Sequence, residues 1–452
     1  MEKSIQKVEK FSQSATWKAV VIGILTILLL IPGAMIESLI FERQQRSIAT
    51  VAKINDKWSN AQTVNGPFLV IPYQIKNVDK DKNLIIEKHQ LFLASEQLKI
   101  NTKLTPEERH YGIYKSILYK SDIEMNGNFK NPQAFLPANA EAMWNDAHVR
   151  IGISDLRGIS NDLKFKMNNT VFVAEAGGVD DAIGQGLIIL LKNTATLWSD
   201  KGVAFSCSLK LNGSGDINFV PSGKTTQVQV YGSWKSPGFI GSFSPEYTLN
   251  DSGFNAKWNV LHFNRNIPEC WSDNEAKSFA DTSFGVNLVD PVDHYQQNMR
   301  SAKYSIMFIA LTFVVFFFVE VITRKKIHPV QYLLVGLALV LFYSLLLSIS
   351  EQLNFAIAYL IASFATITLI AVYAKSIFKN KTQTAILATI LAALYVFLYV
   401  VLQLEDIALL AGSIGLFVIL GIIMFVSRKI SWYKPIEAEN TESDEAVQSK
   451  EL

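Results

Sequence analysis

The chain has 452 residues, 49% of them hydrophobic and only 18% charged, which is more apolar than an ordinary soluble protein. Its formal net charge is +2, and no basic stripe offers itself to nucleic acid, so a nucleic-acid partner is excluded. The apolar excess sits in an N-terminal block and in the last third of the chain, while residues 41–303 have the mixed composition of a water-soluble domain.

Residues 1–17 carry Lys3, Lys7 and Lys10, and Lys18 joins them at the start of a first apolar segment at 18–40, uncharged from Ala19 to Ile36. A transmembrane helix needs about 20 mostly apolar residues. Pro32, Gly33 and Ala34 form no clean small-residue cleavage pattern, so the segment reads as an uncleaved signal anchor.

Across 41–303 apolar and polar residues mostly alternate, at Gly66 to Ile75, Asn83 to Leu93, Tyr111 to Phe129, Leu163 to Ala174, Val203 to Leu211, Thr225 to Trp234 and Phe254 to Phe263. Period-two alternation predicts strands with one buried face. Turn chemistry separates them at Asn212-Gly213-Ser214-Gly215-Asp216, read as a hairpin turn, and at Pro221-Ser222-Gly223. Short helical pieces are expected near Pro132 to Asp146 and Asn274 to Ala280. A mostly antiparallel sandwich, or two side by side, buries so many one-sided strands. The short connection after Asp290-Pro291-Val292-Asp293-His294-Tyr295 places this domain close to the membrane.

The bundle that follows, 304–427, contains five further apolar segments, at 304–323, 330–350, 353–374, 384–404 and 407–427. The connections between them alternate in charge. Arg324, Lys325, Lys326 and His328 form one basic turn, Lys375, Lys379 and Lys381 the next, and Arg428, Lys429 and Lys434 the last. The intervening turns hold Glu351, then Glu405 and Asp406. Positive residues flanking spans are retained in the cytoplasm, so both termini are expected inside and residues 41–303 outside. The tail at 428–452 is acidic, with Glu437, Glu439, Glu442, Asp444 and Glu445, and is expected to be solvated.

Candidate chemistry is sparse. Glu320 is the one plainly intramembrane charge, which makes it a functional candidate, and Arg324 lies four residues on, along the same helical face. A paired structural role for Glu320 stands beside proton or ion coupling. The stripe Tyr343, Ser344, Ser348 and Ser350 reads as helix packing rather than a pore lining. The only cysteines, Cys207 and Cys270, lie in the external domain; an oxidising compartment would permit a bond between them, and two small buried residues are the alternative. The histidines show no metal-ligand spacing, and no cofactor is implied. Gly223-Lys224-Thr225 lacks the earlier glycine of a phosphate loop, with Asn218 in its place. Asp155 and Arg157, with Asp290, Asp293 and His294, read as turn caps and a strand-edge ion pair rather than an acid/base site.

Several stretches together resemble the CreD family of inner-membrane proteins of Gram-negative bacteria. They are Gly66-Pro67-Phe68-Leu69-Val70-Ile71-Pro72, Glu108-Arg109 with Gly112-Ile113-Tyr114, Asp155-Leu156-Arg157-Gly158-Ile159, and Gly215-Asp216 with Val220-Pro221. Tyr304 to Glu320, His328-Pro329-Val330-Gln331-Tyr332-Leu333-Leu334-Val335-Gly336 and Ser350-Glu351 extend it through the bundle. The resemblance implies an inner-membrane location, support of envelope integrity, colicin tolerance and control by a two-component stress system; no catalytic residues come with it. The resulting reading is a non-enzymatic protein of the lipid bilayer whose external domain binds a periplasmic or outer-membrane protein or an envelope polymer. A transporter or channel built on the five-helix bundle is the second reading, and a membrane-bound envelope hydrolase the third.

Overall fold

The computed structural model describes residues 15–78, 81, 84–192, 198, 202–273, 279–288, 294–323, 327–404 and 407–428. Two compact units emerge, one formed by Met1–Gln45 with Asp293–Leu452, the other by Arg46–Val292. The acidic tail beyond Arg428 and the basic residues Lys3, Lys7, Lys10, Lys325, Lys326, Lys429 and Lys434 lie outside the described residues, as do Glu405 and Asp406.

The first unit is helical. Helices α1 (Ala15–Leu28) and α2 (Leu30–Trp58) run on from one another, because the Leu29 N–H donates to the Leu25 carbonyl at 3.0 Å and the Gly33 N–H to that of Leu29 at 3.1 Å. The apolar segment ends at Ile40, yet the helix continues to Trp58. Residues 41–58 contain neither proline nor glycine, so helix propensity outlasts hydropathy there. The helices that follow are α3 (His294–Lys303), α4 (Ser305–Thr323), α5 (Pro329–Ser350), α6 (Phe355–Phe378), α7 (Lys381–Gln403) and α8 (Ala408–Ser427). Among the described residues six helices, with α1 and α2 taken as one, are long and apolar enough to cross a membrane, in agreement with the hydropathy pattern. The short polar α3 falls on the external side of the sequence boundary at 303, but it packs on the bundle. Its Tyr295, Asn298, Ser301 and Ala302 are buried, and the Asn298 amide donates to the Ser350 hydroxyl at 2.8 Å.

The second unit contains two sheets. The ten-stranded sheet runs Gly238–Gly241, Phe284–Asn287, Asp216–Phe219, Gln62–Val78, His148–Ile153, Gly184–Leu190, Glu175–Asp180, with Leu84–Ala94, Ala140–Ala142 and Cys270–Ser272 joined off this path. The eight-stranded sheet runs Glu246–Asn250, Gly253–Leu261, Thr225–Gly232, Gln97–Tyr111, Tyr114–Phe129, Val203–Ser214, Lys164–Met167, Thr170–Val173. Pairing is antiparallel apart from Gln62–Val78 on Asp216–Phe219 and Gln97–Tyr111 on Thr225–Gly232. The inner faces share one core, in which Val64, Leu69 and Ile71 of the first sheet meet Ile100, Ile123 and Leu209 of the second. This is the expected mainly-β sandwich.

Three local readings are refined. The segment Phe68 to Ile71 is buried on both faces of its sheet, since Phe68 and Val70 pack with Phe92, Trp271 and Phe279 on the side away from the shared core. A strand covered twice reads as an apolar run and not as alternation. The turn at Asn212–Gly215 closes no hairpin: Ser214 ends a strand of the eight-stranded sheet and Asp216 begins one of the ten-stranded sheet. Gly215 makes that crossing at φ +67°, in the left-handed region open to glycine. The helical pieces shrink to 3-10 turns at Pro132–Phe135, Trp144–Asp146 and Ala280–Thr282, and residues 274–278 lie outside the described residues.

Candidate functional site

The intramembrane carboxylate is the most demanding group in the bundle. Glu320 lies one turn from the end of α4 and is 2% exposed, where an unpaired charge would cost several kcal/mol. It is instead held by three donors. The Lys18 ammonium of α1 forms an ion pair and hydrogen bond with its Oε1. The Ile327 N–H donates to Oε1 at 3.0 Å, and the Tyr332 hydroxyl to Oε2 at 2.8 Å. Tyr332 is fixed by edge-on rings of Phe313 and Phe316, with centroids at 5.6 and 6.1 Å. The α5 terminus that carries it is capped: His328 Nδ1 accepts from the Val330 N–H at 3.3 Å, and Gln331 accepts from the His328 N–H at 2.9 Å.

Sequence spacing paired Glu320 with Arg324, which lies outside the described residues. The partner the fold supplies, Lys18, is 302 positions away. One clue was available: antiparallel neighbouring spans set the start of one beside the end of the next, so a lysine opening the first apolar segment shares its depth with a carboxylate closing the second.

Polar groups also gather at the opposite end of this unit. The Arg43 guanidinium of α2 lies 3.8 Å from the Glu351 carboxylate, to which the Tyr295 hydroxyl donates at 3.2 Å. Below them Tyr343 is 2% exposed, and the Tyr359 hydroxyl donates to the Tyr395 carbonyl at 2.8 Å. The serine stripe divides, with Tyr343 and Ser350 facing the bundle interior while Ser348 is exposed. Tyr332 and Tyr343 lie on one face of α5, about 16 Å apart along its axis. The interval is filled by Val335 and Leu339 of that helix, packed in a core with Phe313 and Phe316. No polar side chain of α5 bridges the two ends, so the arrangement is that of two polar clusters separated by an apolar layer.

In the β unit, Asp155 caps the 3-10 turn Leu156–Gly158 by accepting from the Arg157 N–H at 3.1 Å. The Arg157 side chain returns with two bonds, Nε to Oδ1 at 2.9 Å and Nη2 to Oδ2 at 2.8 Å. Its Nη1 reaches Asp56 Oδ1 at 2.9 Å, while the Asn60 N–H donates to Asp155 Oδ2 at 3.0 Å. The Arg157 guanidinium, aided by these N–H groups, holds the Asp155 carboxyl well below the usual carboxylate range. This is a knot that joins the end of α2 to the sheet, and it leaves no base to accept a proton near neutral pH. Asp290 and Asp293 lie outside the described residues, and His294 opens α3.

Cys207 lies in the eight-stranded sheet, where burial pushes its thiol up to about 12. Cys270 lies in the other sheet opposite Leu93, and no disulfide joins the two. Lys224 of the Gly223-Lys224-Thr225 stretch is engaged by Glu96 at 3.6 Å and Glu269 at 3.3 Å, which ties a turn. Among the described residues no three His, Cys, Asp or Glu side chains gather to hold a metal ion.

The outer face of the eight-stranded sheet contains a groove of about 580 Å³. Across adjacent strands Lys99 stands beside Gln227 and Gln227 beside Asn259, while Asn101 stands beside Gln229 and Gln229 beside Lys257. These six side chains line it, and the Gln229 amide is oriented by a 3.0 Å bond to Asn255. Planar amides both donate and accept, so such a surface suits a ligand rich in hydroxyl or peptide groups.

Comparison with known proteins adds the family. The family model described as Inner membrane protein CreD matches residues 14–433. Inner membrane protein CreD of Escherichia coli (strain K12) is 31% identical over 422 residues, which cover 92% of this chain and 93% of that relative.

Proposed function

Because the chain belongs to the family of the inner membrane protein CreD, we propose that it supports envelope integrity by holding an envelope component, a polymer or a periplasmic or outer-membrane protein, on its β unit. In this reading the six apolar helices anchor the protein in the inner membrane with both termini cytoplasmic, and it performs no catalysis of its own. The observation that carries the reading is the polar groove on the eight-stranded sheet, whose Asn101, Gln227, Gln229 and Asn259 stand in register. Directional amide contacts of this kind confer recognition without reaction chemistry.

A photoreactive residue at Gln227 in intact cells is expected to capture one defined species. Capture should be lost when Asn101 and Gln229 are both changed to Ala, and absent from a control position at Ser208 on the same sheet. Adducts no different from the Ser208 control would overturn the reading.

A transporter reading would make Glu320 a coupling group. The three donors on that carboxylate and the apolar layer beyond Tyr332 favour a structural role. Full function of Glu320→Gln at normal abundance would agree with the structural role, and loss of function at normal abundance would favour coupling.

A further inference from the structure

A second groove, of about 530 Å³, lies between the last turns of α2 and the hairpin made by Gln97–Tyr111 and Tyr114–Phe129. Ile54, Trp58 and Leu118 supply its apolar base, and Lys53, Lys57 and Arg109 its rim. The Arg109 guanidinium stacks over the Trp58 ring at 4.4 Å, with the Lys120 ammonium 6.0 Å from the same ring. At the hairpin tip Tyr111 and Ile113 are 69% and 37% exposed.

The charge balance of this groove is one-sided. The nearby carboxylates are engaged by other cations: Glu107 by Lys120 at 2.7 Å, Glu108 by Lys115 at 3.0 Å, and Asp56, which also lines the groove, by Arg157 at 2.9 Å, a cation it shares with Asp155. Lys53 and Lys57 have no ion pair among the described residues, and Arg109 comes no nearer than 3.8 Å to Glu107. Lys57 has an ordinary explanation in the last turn of α2, where a cation complements the helix dipole. Lys53, a turn earlier, and Arg109, on another element, fall outside it. Cations set above an aromatic and aliphatic base complement a molecule with a negative head and an apolar chain. The volume lies in the ~300–1,000 Å³ range of small-ligand sites.

We propose that this groove binds an anionic lipid-type amphiphile, its chain laid along Ile54 and Trp58 and its phosphate or carboxylate met by Arg109, Lys53 and Lys57. The site is separate from the polar groove on the eight-stranded sheet and stands without it.

The test uses the full chain in phosphatidylcholine nanodiscs and two diazirine-bearing probes, a lysophosphatidylglycerol and a lysophosphatidylcholine, with adducts mapped by peptide mass spectrometry. The anionic probe is expected to label the peptides holding residues 50–58 and 109–118 about tenfold more than the zwitterionic one, the equivalent of about 1.4 kcal/mol. Arg109→Gln with Lys53→Gln should remove that excess and leave adducts on the membrane helices unchanged, whereas Arg109→Lys should retain most of it. Equal labelling by the two probes, or equal loss in the Gln and Lys variants at Arg109, would overturn the proposal. Competition by glycerol 3-phosphate, which has no chain, would reassign the groove to a free anion and overturn it as well.

Discussion

Lys18 and Glu320 are unequal partners. Replacing Lys18 leaves a carboxylate that is 2% exposed beside two neutral donors. Replacing Glu320 with Gln keeps one acceptor oxygen for the Ile327 N–H, sets an amide NH2 that can donate to the Tyr332 hydroxyl oxygen, and leaves an ammonium whose side chain, 26% exposed, can reach water. Lys18→Gln is therefore expected to lower stability by about 1–3 kcal/mol and Glu320→Gln by less, with the double variant better than the sum of the two. Thermal unfolding in detergent checks the order; a larger loss in Glu320→Gln would show that the ammonium is the confined charge. Asp155 makes a pH prediction. Its carboxyl is depressed by Arg157, so its contribution is fully present above the unfolded value near 4 and fades as pH falls through the lower folded value. Protease resistance of the β unit should decline below about pH 4, and Asp155→Asn should be weaker at pH 7 with a shallower decline.

Among the elements, the first helix meets the bundle through a glycine. A Cβ on Gly336 of α5 would lie 2.2 Å from Leu29 Cδ1 and 2.8 Å from Phe313 Cζ. Small residues at such crossings let helices approach closely. Both contacts are side-chain ends that can turn aside for a methyl group but not for a branched chain. Gly336→Ala is expected to be tolerated, and Gly336→Leu to lower the melting temperature and expose the α1–α2 stretch to protease; equal behaviour of the two would place the crossing elsewhere. The elements most legible in the sequence were those with an undisturbed period. Thr225–Gly232 and Val203–Ser214 alternate as one-sided strands should, and α4 to α7 coincide with the apolar segments to within a few residues. His148–Ile153 is different: His148, Arg150 and Gly152 alternate with Val149, Ile151 and Ile153, yet Arg150 is buried too, beside Asp180, so the alternation does not separate a wet face from a dry one.

For the whole molecule, the alternation of basic and acidic turns predicts an orientation. Reporter fusions after Lys379 should score as cytoplasmic, and fusions after Gln352 as external. The reverse pattern would remove the basis for placing the β unit outside the cytoplasm. Hydropathy and strand period were enough for one apolar N-terminal helix, a β-rich middle and five more apolar helices, because each of those properties is carried by neighbouring residues and survives without any tertiary contact. The partner of Glu320, the transfer of α3 to the bundle, the crossing between sheets at Gly215 and the amide rows of the groove belong to the tertiary structure alone. Each joins side chains tens to hundreds of positions apart, and a pairing over that distance leaves no period, spacing or composition for a local reading to detect.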